Sequence, residues 1–421
     1  MSAEVKPGYK QTEIGVIPED WRVERVGDIA TVSSGGTPSR TNPNYWGGDI
    51  PWITTTQVDF NVIREAQQYI TRDGLENSAA KMLPPGTLLL ALYGQGKTRG
   101  KVSMLGVAAT TNQACASISI SDPVLAQFTF NYLTSQYEAI RASSNGGSQD
   151  NLSGGIVKQL QIPVPPRLEQ PKITSALSDM DALIASLDQL IAKKRDIQQA
   201  TIQQLLTGQR RLPGFSGEWK DGELRDVVRS LEAGVSVNSS DDLPEPGLPC
   251  VLKTSALSGG NFFPNEAKAI VAADRGRACT NPKRNTILIS RMNTPALVGE
   301  IAYVGKNYDW LFLPDRLWMT RFMSDDCVNA RWLSYLLSSR PYRRLLQDSA
   351  TGTSGSMKNI SKGVLLNLKI SYPAIEEQTA IATILSDMDT ELTALEARRE
   401  KARQLKQGMM QELLTGRIRL A

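Results

Sequence analysis

A chain of 421 residues is longer than one hydrophobic core usually supports, and its 41% hydrophobic content is that of an ordinary globular protein. The chain contains no histidine, which excludes a histidine general base, a Ser-His or Cys-His nucleophile and histidine metal ligands. Four scattered cysteines without a Cys-x-x-Cys pair, and no leader-like or long apolar run, make a cytoplasmic protein without zinc site, disulfides or membrane span the expectation; a net charge of +4 neither demonstrates nor forbids a nucleic-acid partner.

In chain order, residues 1–21 form a polar lead-in ending in Ile17-Pro18-Glu19-Asp20-Trp21. A short amphipathic element over 23–32 leads into a loop of glycine, proline and small polar residues over 33–44, then Tyr45-Trp46-Gly47-Gly48-Asp49-Ile50-Pro51-Trp52. Apolar runs bounded by turn residues predict strands at 86–92, 101–106 and 116–120, and the 3.6 period predicts a helix over 128–141. A glycine-serine loop at 143–155 and a strand at 159–164 lead into a long helix over 168–207, roughly 60 Å at 1.5 Å per residue.

From residue 213 onward the order replays. Trp219 answers Trp21, Thr286-Ile287-Leu288-Ile289 answers the strand at Thr87, and Gly299-Glu300-Ile301 answers Gly100-Lys101-Val102. Residues 330–346 repeat the helix and 368–371 the last strand. The match is closest in the long helix, where the second copy follows the first without a gap from Gln378 as from Gln170. Leu177-Ser178-Asp179-Met180-Asp181 recurs as Leu385-Ser386-Asp387-Met388-Asp389, and Leu205-Leu206-Thr207-Gly208 as Leu413-Leu414-Thr415-Gly416. A period this long means two domains.

Apolar residues in the first copy, Ile173, Leu177, Met180, Ile184, Leu187 and Ile191, step alternately by four and three, the spacing of a seam facing a partner helix. The second seam runs Ile381, Leu385, Met388, Leu392 and Leu395. Both turn polar in the middle, at Lys194 and Gln198 and at Arg399 and Lys406. Gly208 and Gly416 fit the left-handed residue that closes a helix. The expected fold class is α+β: two similar domains joined by two long helices packed as an antiparallel coiled coil, with an internal pseudo-two-fold repeat.

These features together resemble the specificity (S) subunit of a type I restriction-modification system over essentially the whole length. The resemblance rests on the duplicated helices with Leu-Ser-Asp-Met-Asp and Leu-Leu-Thr-Gly, on Ile17-Pro18-Glu19-Asp20-Trp21, on Gly36-Thr37-Pro38-Ser39 and on Gly48-Asp49-Ile50-Pro51-Trp52. It implies a target-recognition domain at 1–166, a helix at 167–208, a second target-recognition domain at 209–374, and a second helix with its tail at 375–421. Each domain would read one half of a split double-stranded DNA target while the helices set the unread spacer. The partners implied are two methyltransferase subunits and the restriction subunits. They would supply the chemistry with S-adenosylmethionine, ATP and magnesium, leaving this chain without catalytic residues, cofactor or metal of its own.

Base reading in the major groove needs forked donors on loops anchored to a rigid frame, and phosphate contacts need Arg, Lys, Ser and Thr. In the first domain the candidates are Thr37, Ser39, Arg40, Tyr45, Trp46, Thr55, Gln57, Lys97, Thr98, Arg99, Lys101 and Gln149. In the second they are Lys253, Thr254, Arg275, Arg277, Lys283, Arg284, Arg291, Asn293, Thr353 and Lys358. The groups at 97–101 and 283–294 are expected in equivalent places in the two halves. Tyr45-Trp46, between glycine- and asparagine-rich turns, is the candidate base-stacking pair. Gly94-Gln95-Gly96-Lys97-Thr98 resembles the end of a phosphate-binding loop, but Ala91 stands where its first glycine belongs. No Asn/Asp-Pro-Pro-aromatic run of the kind found in amino-methyltransferases is present. The rival reading is a protein-binding adaptor with paired heads and a helical spacer. Duplex binding that weakens steeply with salt separates the two.

Overall fold

The computed structural model describes residues 6–94, 98–143, 151–240, 247–324, 326–352 and 357–420. The chain forms two compact units, Met1–Asp188 with Ala397–Ala421, and Gln189–Glu396. Each long helix therefore contributes one half to each unit.

In the first unit the lead-in is a β-hairpin, Tyr9–Thr12 against Gly15–Pro18, turning at Gly15 with φ +108°. The amphipathic element resolves into a strand, Arg22–Arg25, one helical turn, Val26–Ile29, and a second strand, Thr31–Ser34. The central sheet orders its strands as Thr31–Ser34, Cys115–Ser119, Leu88–Ala91, Val102–Leu105 and Val62–Ile63, antiparallel but for the last pair. Leu88-Leu89-Leu90-Ala91 is buried throughout because side chains alternate between two apolar layers. Leu88 and Leu90 pack with Trp21, Phe128 and Ile162, while Leu89 and Ala91 pack with Ile53, Ile63 and Leu105. A second sheet, with Trp46–Ile53 between Thr110–Thr111 and Gln68–Ile70, lies in the same unit.

The helix predicted at 128–141 begins earlier, as Pro123–Ser135, because Asp122 caps the Val124 and Leu125 amides and Pro123 suits a first turn. It breaks at Gln136 before a second helix, Tyr137–Ala142. At the break the Thr134 and Ser135 hydroxyls donate back to the Phe130 and Tyr132 carbonyls, competing with the helix ladder.

The second unit repeats this plan. Its main sheet runs Val228–Ala233, Leu317–Phe322, Thr286–Ser290 and Ile301–Val304, and Cys250–Leu252 takes the middle place of the second sheet. Ile287 and Ile289 enter one layer with Trp332, and Leu288 enters the other with Cys250. The helix predicted at 330–346 is two helices, Ala330–Ser338 and Arg340–Asp348. Pro341 has no N–H to continue the first ladder but fits the opening turn of the second.

The long helices are Gln170–Leu206 and Ile375–Leu413, the second starting where the expected segment 375–421 begins, with the acidic first turn Glu376-Glu377. Ile173, Leu177, Leu187, Ile191, Ile381 and Leu385 are buried, and Met180, Ile184, Met388, Leu392 and Leu395 are half-buried. Within the first unit Asp181 pairs with Lys406 at 2.6 Å, and Asp188 with Arg399 at 3.1 Å and Arg403 at 3.3 Å. Within the second, Lys194 pairs with Glu391 at 2.7 Å, Arg195 pairs with Glu396, and Gln198 donates to Asp389 at 2.7 Å. From Asp181 with Lys406 to Asp188 with Arg399, and from Lys194 with Glu391 to Gln198 with Asp389, position numbers rise on one helix as they fall on the other, so the halves run antiparallel. The polar seam positions are thus where the helices are cross-linked. Such half-exposed pairs are worth about 1 kcal/mol or less each, and what they supply is register. Gly208 (φ +68°) and Gly416 (φ +69°) close the helices in the left-handed region.

Candidate nucleic-acid interface

The register of the first unit's central sheet places Ser34 beside Ala116 and Ala116 beside Leu90, which lies beside Val102. The loops after Ser34, after Ala91 and before Cys115 therefore leave the same end of the sheet. Backbone bonds tie them together: the Gly36 amide donates to the Thr111 carbonyl at 2.9 Å, and the Leu92 amide to the Ala114 carbonyl at 2.8 Å. A Cβ at Gly35 would lie 1.9 Å from the Thr111 carbonyl oxygen, so this approach requires glycine. The second unit builds the same corner, with a Cβ at Gly234 falling 1.6 Å from the Leu313 carbonyl oxygen. There the loops after Ala233, after Ser290 and before Leu317 emerge together.

On the first corner, Thr37 is half-buried and donates to Gln113, while Ser39 and Arg40 are exposed. The Arg40 guanidinium lies over Trp46, 3.9 Å from its ring centre. Trp46 meets Trp52 edge-on at 5.0 Å and donates through Nε1 to the Ser39 carbonyl. One face of the Trp46 ring is therefore covered by Arg40. Gln57 is tied to the Glu65 carbonyl and the Gln67 amide, and Thr55 opens the adjoining 3-10 turn. Thr98 donates to the Tyr93 carbonyl. Lys101 pairs with Asp59 beside the Phe60 ring. Arg99 is only 9% exposed and donates to the Arg141 carbonyl, so it belongs to the frame rather than to the surface.

In the second unit, Lys253 pairs with Glu266 at 3.7 Å, with Thr254 beginning the turn that follows. Arg277 pairs with Asp274 at 3.1 Å. The Asn238 amide and the Arg277 guanidinium hold the Asp274 carboxyl below its usual range, so this pair braces the loop. Arg275 is exposed and donates to the Ile270 carbonyl. Asn293, 7% exposed, donates to Ser290 and accepts from the Thr294 amide, again a frame residue. Lys358 is half-buried in a short pairing with Asn293. Arg291 lies over Trp318 at 5.7 Å. Lys97, Gln149 and Thr353 lie outside the described residues, as does the middle of the sequence from Gly94 to Thr98.

The groups at 97–101 and 283–294 correspond only in part. Residues 291–300 follow the strand Thr286–Ser290 as 92–101 follow Leu88–Ala91, whereas Lys283 and Arg284 precede it. Lys283 is also neutralised by Asp309 at 3.3 Å. One cation went unnoticed in the sequence. Arg316 is exposed on the loop before Leu317, and its carbonyl accepts from the Arg291 amide at 3.1 Å. Only the strand order makes these two neighbours. Among the described residues Arg40, Arg275, Arg284, Arg291, Arg316 and Lys358 have no carboxylate within 4.0 Å, and so remain available to an anion. The Cys115 thiol is pushed up to about 11 by burial and offers no nucleophile. No helix among the described residues is long and apolar enough to cross a membrane.

Residues 18–193 and 216–405 each match the model of the type I restriction modification DNA specificity domain. The specificity subunit of the type I restriction enzyme MjaIX of Methanocaldococcus jannaschii is 34% identical over 185 residues, 42% of this chain and 41% of that protein. The MjaVIII specificity subunit of the same organism is 23% identical over 420 residues, 96% of this chain and 94% of that one. In fold, the chain resembles the S subunit of a type I restriction-modification system from M. genitalium (TM-score 0.60, 16% identity, 97% of this chain and 98% of that one). It also resembles a chain of another type I system (TM-score 0.57, 18% identity, 96% and 99% covered). With two domain matches covering most of its length, the chain belongs to the family of type I restriction-modification DNA specificity subunits.

Proposed function

We propose that each unit reads one half of a split duplex target, through the loops at the glycine-cornered end of its main sheet. The paired long helices set the unread spacer and carry the docking surface for two methyltransferase subunits, to which restriction subunits add. Methyl transfer and cleavage, with their S-adenosylmethionine, ATP and magnesium, belong to those partners. The observation that carries this reading is a repeated frame with unrepeated loops. Gly35 and Gly234 make the same backbone corner, while the free cations around them differ in number and position. A fixed frame with exchanged loop residues is what reading two different half-sites requires.

The test is to co-express the full chain with its cognate methyltransferase subunit and map modified bases across a genome. A two-part motif with a constant gap is expected. Modification without such a motif, or duplex binding by the chain that is indifferent to salt, overturns the reading.

A further inference from the structure

The loop from Gly36 to Trp46 is held more firmly than a reading loop needs to be. Its ends are locked by backbone: the Gly36 amide donates to the Thr111 carbonyl, the Gly36 carbonyl accepts from Trp52 Nε1 at 2.9 Å, and the Thr71 amide donates to the Tyr45 carbonyl at 3.0 Å. Side chains cannot be added at its base, since a Cβ at Gly36 would lie 2.3 Å from the Ala80 amide nitrogen and one at Gly48 2.5 Å from the Ile70 carbonyl oxygen. Trp52 is buried, and Trp46 stands edge-on against it. On that base lies Arg40, exposed, with its guanidinium carbon 3.9 Å from the Trp46 ring centre and 5.0 Å from that of Trp52.

A guanidinium held against an indole keeps its charge while its side chain is confined, so less rotamer entropy is left to lose when an anion arrives. The immediate neighbours are hydroxyls, Ser39 and Thr41, 2.8 Å apart. No carboxylate among the described residues lies within 4.0 Å of Arg40. A planar fork beside hydroxyls with no competing acid fits a phosphodiester. Among the described residues the second unit does not repeat this platform at the matching place; its guanidinium over an indole is Arg291 on Trp318, on a different loop and at 5.7 Å. Counted back from the 3-10 turn that follows each strand, Val251 stands at the position of Trp52, and residues 235–240, which follow Gly234, contain neither arginine nor tryptophan.

We propose that Arg40, clamped on Trp46, grips a backbone phosphate of the duplex and sets the register of the first unit on DNA without reading a base. This rests on the duplex-reading function proposed above. The frame holds the loop by bonds to its backbone and holds Arg40 by the Trp46 ring, so its position does not depend on the side chains that choose a sequence.

The test uses the full chain with two duplexes of equal length, one carrying the mapped motif and one scrambled, over a range of salt. Arg40→Ala is expected to weaken both complexes by the same factor, about tenfold at low salt, and to lower the log–log salt slope by about 0.9. Arg40→Lys should keep the slope and lose about threefold in affinity, because the charge stays and the fork is gone. Trp46→Leu should fall between them. Melting curves of the three variants check that the loop frame survives. Relaxation of the motif at any position in Arg40→Ala would show a base reader and overturn the proposal. Binding equal to that of the unaltered chain would overturn it too. If the unaltered chain itself binds DNA without salt dependence, the duplex-reading function fails instead.

Discussion

The two units carry the same ion-pair clasp at equivalent places, built with different completeness. In the second, Arg211 forks both oxygens of buried Glu377 at 2.6 Å, lies over Trp219 at 5.9 Å, and donates from its third nitrogen to the Gly217 carbonyl. In the first, Arg419 forks buried Glu169 and also both oxygens of Asp20, at 2.8 and 2.9 Å, while Trp21 Nε1 donates to the same Glu169 at 3.0 Å. The Trp219 Nε1 is buried without a protein partner. One arginine thus serves one carboxylate in one unit and two in the other, and only one tryptophan joins the network. The repeat preserves what costs most to lose, a charge partner for a buried glutamate. It leaves variable the bonds that merely add to it.

The helix-closing glycines break this comparison most sharply. Gly416→Ala would force a residue at φ +69° and set its Cβ 2.5 Å from the Pro18 ring, which cannot swing away; Gly208→Ala meets only the Trp219 ring edge at 3.3 Å. We expect losses of about 3 kcal/mol and about 1 kcal/mol respectively, read from urea unfolding midpoints. Next is Arg419→Met, which leaves Glu169, only 4% exposed, without a countercharge. It should cost about 2–3 kcal/mol, less than a fully buried pair because the guanidinium reaches solvent. Arg211→Met should cost a similar amount, because Glu377 is 1% exposed and lacks the tryptophan bond that Glu169 keeps, while the Asp20 released in the first unit is exposed. A finer comparison is Trp21→Phe, expected to lose about 1.5 kcal/mol more than Trp219→Phe, because only Trp21 gives up a hydrogen bond to a charged group. Equal losses would mean that Trp219 finds a partner in solvent.

The smallest effect is in acid. Arg419, first by hydrogen bonding, holds the Asp20 carboxyl below its usual 3.8. A carboxyl depressed in the folded state adds stability that is complete above the unfolded value and is lost as pH falls through the folded one. The difference in unfolding midpoint between the unaltered chain and Asp20→Asn should therefore be constant above pH 5 and shrink below about pH 4.

The duplication, the buried strand runs, the seam positions and the glycine caps were legible because each leaves a local periodic or positional mark. The break at Gln136 was not, since the run stays apolar on one face across it, whereas the break at Ser339 is marked in the sequence by Pro341. The candidate interface was legible only as composition. Arg99, Gln57 and Asn293 have the right chemistry and are spent on the frame, whereas Arg316 has it too and escaped notice.

By itself, the amino-acid order determined that there are two α+β halves, that two long helices present matched seams, and where those helices stop. Periodicity and left-handed glycines act over a few residues, so a single chain records them. Which cations stay free was decided only by tertiary structure, because neutralisation joins residues far apart in sequence: Lys101 meets Asp59 across 42 positions, and Arg419 meets Glu169 across 250. The seating of Arg40 on Trp46 was decided in the same way. It depends on Trp52, Gly36 and Thr111 being brought to one corner by the order of the strands.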